Sequence, residues 1–191
     1  MKLKLGMPPE PEITLLGAVR LNEDYAKLHL RALLFGIAVV TPLLTWAWVG
    51  RFGWGALRAV GDLEFWQFFL TLAGMMVIHE VIHMLGHPRM GFTRHTILGF
   101  LPRHGMFYAT YLGVMSRGRF IFVALLPLSL LTVVPYLAAP YLPPTWRAVM
   151  TGVSILNGMA SSGDLWIIGA VLRRIPRDAV IQGEWFGTVS P

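Results

Sequence analysis

The clearest chemical pattern in the sequence is the run His79-Glu80-Val81-Ile82-His83, an HExxH motif. Histidines four residues apart on a helix lie on one face, one turn apart, where both imidazoles can bind the same metal ion. The glutamate between them lies about a quarter-turn away and can act as a general base toward water. Cysteine is absent, so any metal must be held by His, Asp or Glu. The motif predicts a zinc site with His79 and His83 as ligands.

A third protein ligand is expected, because catalytic zinc usually takes three and keeps one position open. The metzincin pattern would place a histidine at position 89, where this chain has Arg89. Asp164 is the candidate, since it and Glu80 are the only two of ten acidic residues well inside predicted membrane spans. His87 follows His83 by one turn, but three successive turns cover about 12 Å of helix rise, too far for bonds of about 2 Å. We expect His87 to have a capping or surface role.

Membrane helices must position these residues, because the chain is 55% hydrophobic and only 14% charged. Four segments are apolar over the roughly 20 residues that a membrane helix needs. They cover residues 28–49, 65–85, 120–141 and 148–172. The HExxH motif lies in the second span and Asp164 in the fourth. Ionisable groups inside membrane helices are costly and mark function, so this placement strengthens the prediction of a metal site.

The predicted fold is an all-α polytopic membrane protein with about four transmembrane helices. A short β-strand or hairpin is expected between helices two and three, where residues 105–114 are aromatic and β-branched without charge. Thirteen of sixteen Lys and Arg flank the spans on one side, so the positive-inside rule puts both termini and residues 86–119 in the cytoplasm. The predicted domains are a cytoplasmic segment 1–27, a transmembrane metalloprotease domain 28–172 and a cytoplasmic tail 173–191.

Span four carries a polar stripe at spacings of three and four residues: Ser154, Asn157, Ser161 and Asp164. Such a stripe faces a cavity or a partner helix. The sequence resembles the site-2 protease clan of intramembrane zinc metalloproteases in three features. These are HExxH in one span, a strand-rich cytoplasmic segment, and then Asn157 and Asp164 in a later span. The closer likeness is to a family of small bacterial membrane proteins described as zincin peptidases, which share the runs 116–121 and 162–165.

This resemblance covers roughly residues 65–175. It implies Zn²⁺ bound by His79, His83 and Asp164, with Glu80 as the catalytic acid/base. It also implies that Asn157 helps to position the substrate or the oxyanion. For Asn157 the alternative is an interhelical hydrogen bond, which often joins membrane helices.

The predicted function is zinc-dependent hydrolysis of peptide bonds near the cytoplasmic side of the bilayer, in a bacterial cytoplasmic membrane. The expected partners are a membrane protein or peptide substrate, which could pair with the strand 106–114, and the lipid bilayer. Nucleic acid is not expected, because the basic residues lie between apolar runs. Two alternatives stay open: a non-catalytic, metal-stabilised scaffold or pseudoprotease, and a metal transporter. A transporter needs polar groups on both sides of the site, and the outer halves of the spans offer few.

Overall fold

The computed structural model describes residues 1–21 and 25–189, so the predicted terminal segments 1–27 and 173–191 lie partly outside the described residues. The protein is mostly helical, at 63%, and four of its helices are long and apolar enough to cross a bilayer. The four predicted spans are confirmed on length and composition, with ends that differ by a few residues. They are Leu30–Phe52, Phe65–Gly86, Arg117–Tyr141 and Pro144–Arg174.

Within residues 1–21 and 25–189, eight α-helices build these spans and their connections. They are α1 (Tyr25–Phe35), α2 (Thr41–Phe52), α3 (Gly55–Gly61), α4 (Phe65–Gly86), α5 (Arg117–Pro127), α6 (Val134–Ala138), α7 (Pro144–Ala160) and α8 (Ser162–Arg174). Short 3₁₀ segments cover Pro102–His104 and Ala139–Tyr141, while Pro88–Gly91 is a tight turn in which Arg89 and Met90 have left-handed backbone, with φ 55° and 54°.

Two spans contain π-helical segments, and a proline explains each of them. The segment Gly36–Val40 joins α1 to α2, and Leu128–Val133 joins α5 to α6. The second residue of each following helix is a proline, Pro42 or Pro135. A proline has no N–H and its ring clashes with the carbonyl four residues earlier, so the preceding turn widens. Membrane helices tolerate this because neighbouring groups satisfy the freed backbone.

The fourth span is two helices with a break at Ser161, which the sequence analysis did not anticipate. Ser161 has φ −67° and ψ −2°, and its N–H bonds back to the carbonyl of Asn157. Serine hydroxyls compete for backbone hydrogen bonds, and glycine adds flexibility, so the run 161–163 is a weak point in a helix. Because of the break, Asp164 lies in the first turn of α8 instead of mid-helix.

Seven strands in the described part of the chain form two sheets, so the all-α description was too narrow. They are β1 (Lys2–Leu5), β2 (Leu16–Arg20), β3 (Thr96–Leu101), β4 (Met106–Tyr111), β5 (Val114–Ser116), β6 (Val180–Gln182) and β7 (Trp185–Thr188). The first sheet has the order β1-β3-β4 and the second β2-β7-β6-β5. The strand expected at 105–114 is present as β4, in an antiparallel hairpin with β3. The strands contributed by both ends of the chain were not predicted.

The chain divides into two compact units. The first comprises residues 1–24, 80–126 and 165–191, and it contains both sheets. Its buried core is formed by Val171, Ile175, Ala179 and Ile181. The second comprises residues 25–79 and 127–164. In its core the fully buried Trp48 packs beside Phe52 and Tyr136 and donates from its indole nitrogen to Ser154 Oγ at 3.0 Å.

Candidate metal centre

The two motif histidines lie on α4, one helical turn apart. His79 and His83 are both buried, with 7% and 9% of their surface exposed. The helix is apolar on all sides, as expected of a membrane span, so these imidazoles are exceptional polar groups within it. Glu80 follows His79 directly and is half-buried. The order of the three side chains around the helix is therefore the one that the motif predicts.

The tautomer of His79 is fixed by Asn157, which is fully buried on α7. Asn157 Nδ2 lies 3.0 Å from the carbonyl oxygen of Pro127, which can only accept, so this end of the amide is the donor. Asn157 Oδ1 then faces His79 Nδ1 at 2.8 Å and accepts from it. The proton of His79 is held on Nδ1, and Nε2 keeps its lone pair for a metal ion.

Further contacts hold the Asn157 amide in this orientation. Its Nδ2 also lies 3.0 Å from Thr132 Oγ1 and 3.4 Å from Ser161 Oγ. Thr132 and Ser154 are linked by two hydrogen bonds, in which each hydroxyl donates to the backbone carbonyl of the other residue. The distances are 3.1 Å from Thr132 Oγ1 to Ser154 O and 3.0 Å from Ser154 Oγ to Thr132 O. Ser154, Asn157 and Ser161 are all fully buried. The predicted polar stripe is thus confirmed as an inward-facing surface.

His83 is oriented in the same manner by a backbone group. Its Nδ1 lies 3.0 Å from the carbonyl oxygen of Val123 on α5. A carbonyl only accepts, so Nδ1 carries the proton and Nε2 is the nitrogen available as a ligand. Hydrogen bonds of this kind to the second ring nitrogen are the usual support of a metal-binding histidine.

Asp164 lies beside His79, as the sequence predicted. Its Oδ2 is 3.4 Å from His79 Nε2, and its side chain is 20% exposed. Two ligand atoms on one tetrahedral zinc ion, with bonds of about 2.0–2.1 Å, lie roughly 3.3–3.4 Å apart. The 3.4 Å between Asp164 Oδ2 and His79 Nε2 therefore fits two ligand atoms bound to one zinc ion.

The three predicted ligands come together. One ligand atom from each of His79, His83 and Asp164 lies within 4.8 Å of the other two. Two neutral imidazoles and one carboxylate are a donor set that zinc takes in hydrolytic enzymes, with room for a further ligand. The residues present therefore fit a zinc ion.

His87 lies just beyond the end of α4 and does not belong to this group of ligands. It is buried, with 3% exposed, so the surface alternative of the expected capping or surface role is wrong. Desolvation by burial, followed by electrostatic interactions with His83 and Arg119, lowers the pKa of His87 from 6.5 to about 4. The ring is therefore neutral at pH 7. Arg119 closes the carboxyl end of the helix by donating to Gly86 O at 2.7 Å and His87 O at 3.1 Å.

Three supporting groups were not found from the sequence: the carbonyl oxygens of Pro127 and Val123 and the hydroxyl of Thr132. Backbone carbonyls carry no side-chain signal, so only the fold can reveal the first two. A signal did exist for Thr132, which lies mid-span in an apolar run, where a hydroxyl usually makes a helix contact. The substrate role implied for Asn157 stays a prediction, and the structure adds its contact with His79.

Comparison with known proteins agrees with this chemistry. The chain matches the model of the family described as "Putative zincin peptidase" over residues 72–180, which include all five predicted site residues. Comparisons with curated proteins and with solved structures find no match. The family implies zinc and a metallopeptidase activity, in accord with the donor set. Because the match covers more than half of the sequence, the chain belongs to the Putative zincin peptidase family.

Proposed function

We propose that the protein is an intramembrane zinc metallopeptidase of the site-2 protease type. It hydrolyses peptide bonds of membrane-associated substrates close to the cytoplasmic surface. The observation that carries the proposal is the pair His79 and Asp164, whose ligand atoms lie 3.4 Å apart inside helices long enough to span a bilayer. His79 lies seven residues before the end of α4, about 10 Å of helix rise, which favours chemistry near one membrane face.

Residues of this chain have three tasks in the reaction: to hold the metal ion, to accept a proton from water and to return that proton to the leaving amine. His79, His83 and Asp164 hold the ion, which when bound polarises a carbonyl and makes water more acidic. Glu80 accepts a proton from the attacking water while the water oxygen forms a bond to the scissile carbonyl carbon. The carbon–nitrogen bond then breaks, and Glu80 returns the proton to the leaving amine. The protein is unchanged after each cycle, and one water is consumed.

Substrate presentation is assigned to β4. A transmembrane helix hides its peptide groups in its own hydrogen bonds, so a substrate must be extended before cleavage. Among the described residues, β4 is an edge strand of the first sheet and pairs only with β3, from Thr96 opposite Tyr111 to Leu101 opposite Met106. A free strand edge is suited to bind an extended peptide by strand addition.

The test compares Glu80→Gln with Glu10→Gln, an acid whose side chain is 87% exposed. Purified proteins are assayed for zinc content and for cleavage of fluorescein-labelled casein, an extended probe. We expect all three proteins to bind about one zinc. Cleavage by Glu80→Gln should fall about 10²- to 10⁴-fold, the usual contribution of a general base, while Glu10→Gln keeps wild-type turnover. Unchanged turnover in Glu80→Gln, or no zinc in the wild-type protein, would contradict the proposal.

A further inference from the structure

The two motif histidines are oriented by acceptors of different kinds. His79 Nδ1 donates to a side-chain amide, that of Asn157, whereas His83 Nδ1 donates to the backbone carbonyl of Val123 at 3.0 Å. Val123 lies inside the helix α5. A carbonyl in a helix normally accepts from the N–H four residues later. Some feature of α5 must therefore leave this carbonyl open to an imidazole.

That feature is the residue four positions after Val123, which is Pro127. Proline has no N–H, so the bond within the helix to Val123 O cannot form, and the proline ring also crowds that carbonyl. A buried carbonyl without a donor is unfavourable. His83 Nδ1 supplies the donor that the sequence of α5 cannot provide. The missing N–H of Pro127 and the orientation of His83 are thus two sides of one hydrogen bond.

Pro127 is itself held firmly in the protein interior. Its side chain is fully buried, and its backbone is helical, with φ −62° and ψ −41°, a φ that proline adopts without strain. Its carbonyl oxygen accepts from Asn157 Nδ2 at 3.0 Å, the contact that aims the other end of the amide at His79. One residue therefore takes part in the support of both imidazoles.

We propose that Pro127 is a positioning residue of the metal centre, which keeps Val123 O free to hold the proton of His83 on Nδ1. The inference rests on the proposed function and deepens its metal site. Pro127 offers no side-chain ligand atom, so it acts through Val123 and His83. An N–H at position 127 would compete for the same oxygen. The ring of His83 could then turn, or its proton could move to Nε2, the nitrogen that the ion needs.

The experiment compares two variants that have the same side chain at position 127. Pro127→Ala restores the N–H. Its ester analogue, made by cell-free suppression with lactic acid in place of alanine, has an oxygen at that position and no N–H. Both lose the ring and its packing, so the N–H alone distinguishes them. The matched control is Pro135→Ala, because Pro135 is a buried proline of the same span that frees the carbonyl of Leu131 instead.

Zinc affinity is measured on the full chain against a competing chelator. We expect Pro127→Ala to bind zinc about tenfold more weakly than the wild type, the lower end of the effect of removing a support of a metal-binding histidine. The ester analogue should recover most of that affinity, which a packing role of the ring would not produce. Pro135→Ala should stay within about threefold of the wild type.

A second readout needs no metal. The ¹⁵N chemical shifts of His83 in the metal-free protein report which ring nitrogen carries the proton. We expect Nδ1 in the wild type and in the ester analogue, and a larger fraction on Nε2 in Pro127→Ala. A wild-type ring protonated mainly on Nε2 would overturn the proposal whatever the variants do.

The zinc titrations can overturn the proposal in three ways. Wild-type affinity in Pro127→Ala would show that Val123 O serves both donors at once. Equal weakening in Pro127→Ala and its ester analogue would show that the ring matters and the N–H does not. Equal weakening in Pro135→Ala would show a general effect of prolines in this span. A wild-type protein that binds no zinc contradicts the proposed function itself, a result distinct from these three.

Discussion

Replacing Asn157 with leucine should weaken zinc binding although residue 157 is not a ligand. The leucine has the same branched skeleton, with methyl groups in place of the amide oxygen and nitrogen, and so it removes the oxygen that accepts from His79 Nδ1 at 2.8 Å. Without that acceptor, the ring can turn and its proton can move to Nε2, the nitrogen that the metal needs. Loss of such supporting hydrogen bonds typically weakens metal affinity about 10- to 100-fold, equivalent to about 1.4–2.7 kcal/mol.

The same substitution should also destabilise the fold, by an amount comparable to the loss in zinc-binding free energy. Asn157 Nδ2 has contacts with Pro127 O, Thr132 Oγ1 and Ser161 Oγ. Side-chain hydrogen bonds between membrane helices contribute about 0.6 kcal/mol on average, so three such contacts amount to about 2 kcal/mol. We expect Asn157→Leu to remain folded in detergent, with a lower melting temperature.

The assay is a zinc titration against a competing chelator, with Thr132→Val as the matched control. That variant removes one of the Nδ2 contacts but leaves the bond from His79 to Asn157 in place, so its zinc affinity should stay within about threefold of the wild type. The reasoning is refuted if Asn157→Leu binds zinc as tightly as the wild type. If turnover is nevertheless lost, Asn157 acts on the substrate or the oxyanion, as the family resemblance implies.

Three further predictions concern packing, pH and orientation. Gly36→Ala should lower the melting temperature, because a Cβ there would lie 2.9 Å from Ser162 Oγ. The control is Gly50→Ala in the same span, where a Cβ meets no atom within 4 Å. Equal melting temperatures of the two variants would contradict this packing. The free energy of unfolding of the metal-free protein should fall by about 3 kcal/mol as pH falls from 6.5 to about 4. The reason is that His87 binds a proton at a higher pH in the unfolded chain than in the folded one. Denaturant titrations of His87→Phe should lack that pH dependence. We propose that both termini are cytoplasmic, so alkaline phosphatase fused after Arg103 should be inactive, while activity there would reverse the orientation.

The parts of the site that follow from local pattern could be predicted from the sequence. The HExxH spacing places His79 and His83 on one face of any helix, and the hydropathy of the spans identifies Asp164 as an exceptional acid. Their meeting was inferred because catalytic zinc usually takes a third protein ligand. The break at Ser161 could not be predicted with the same ease, because serine and glycine also occur within intact membrane helices.

The strands near the two ends of the chain were the main omission. β2, β6 and β7 are three to five residues long, too short for an alternating pattern to be distinguished from a loop. Their partners lie far away in the sequence, as in the pairing of Leu16 with Thr188. Only β4, flanked by its hairpin partner, had a local signal, and it was the strand that was predicted.

In the second sheet, neighbouring strands come from opposite ends of the chain and are therefore synthesised at very different times. β2 contains residues 16–20, and its partner β7 contains residues 185–188. At about 5–20 residues per second, roughly 8 to 33 s pass on the ribosome before that partner exists. The side chain of Gln182, which bonds to the backbone of Glu12, Thr14 and Leu112, arrives equally late. All four membrane helices are therefore made before this sheet can close, and a nascent chain must keep the edge of β2 from pairing elsewhere throughout that interval.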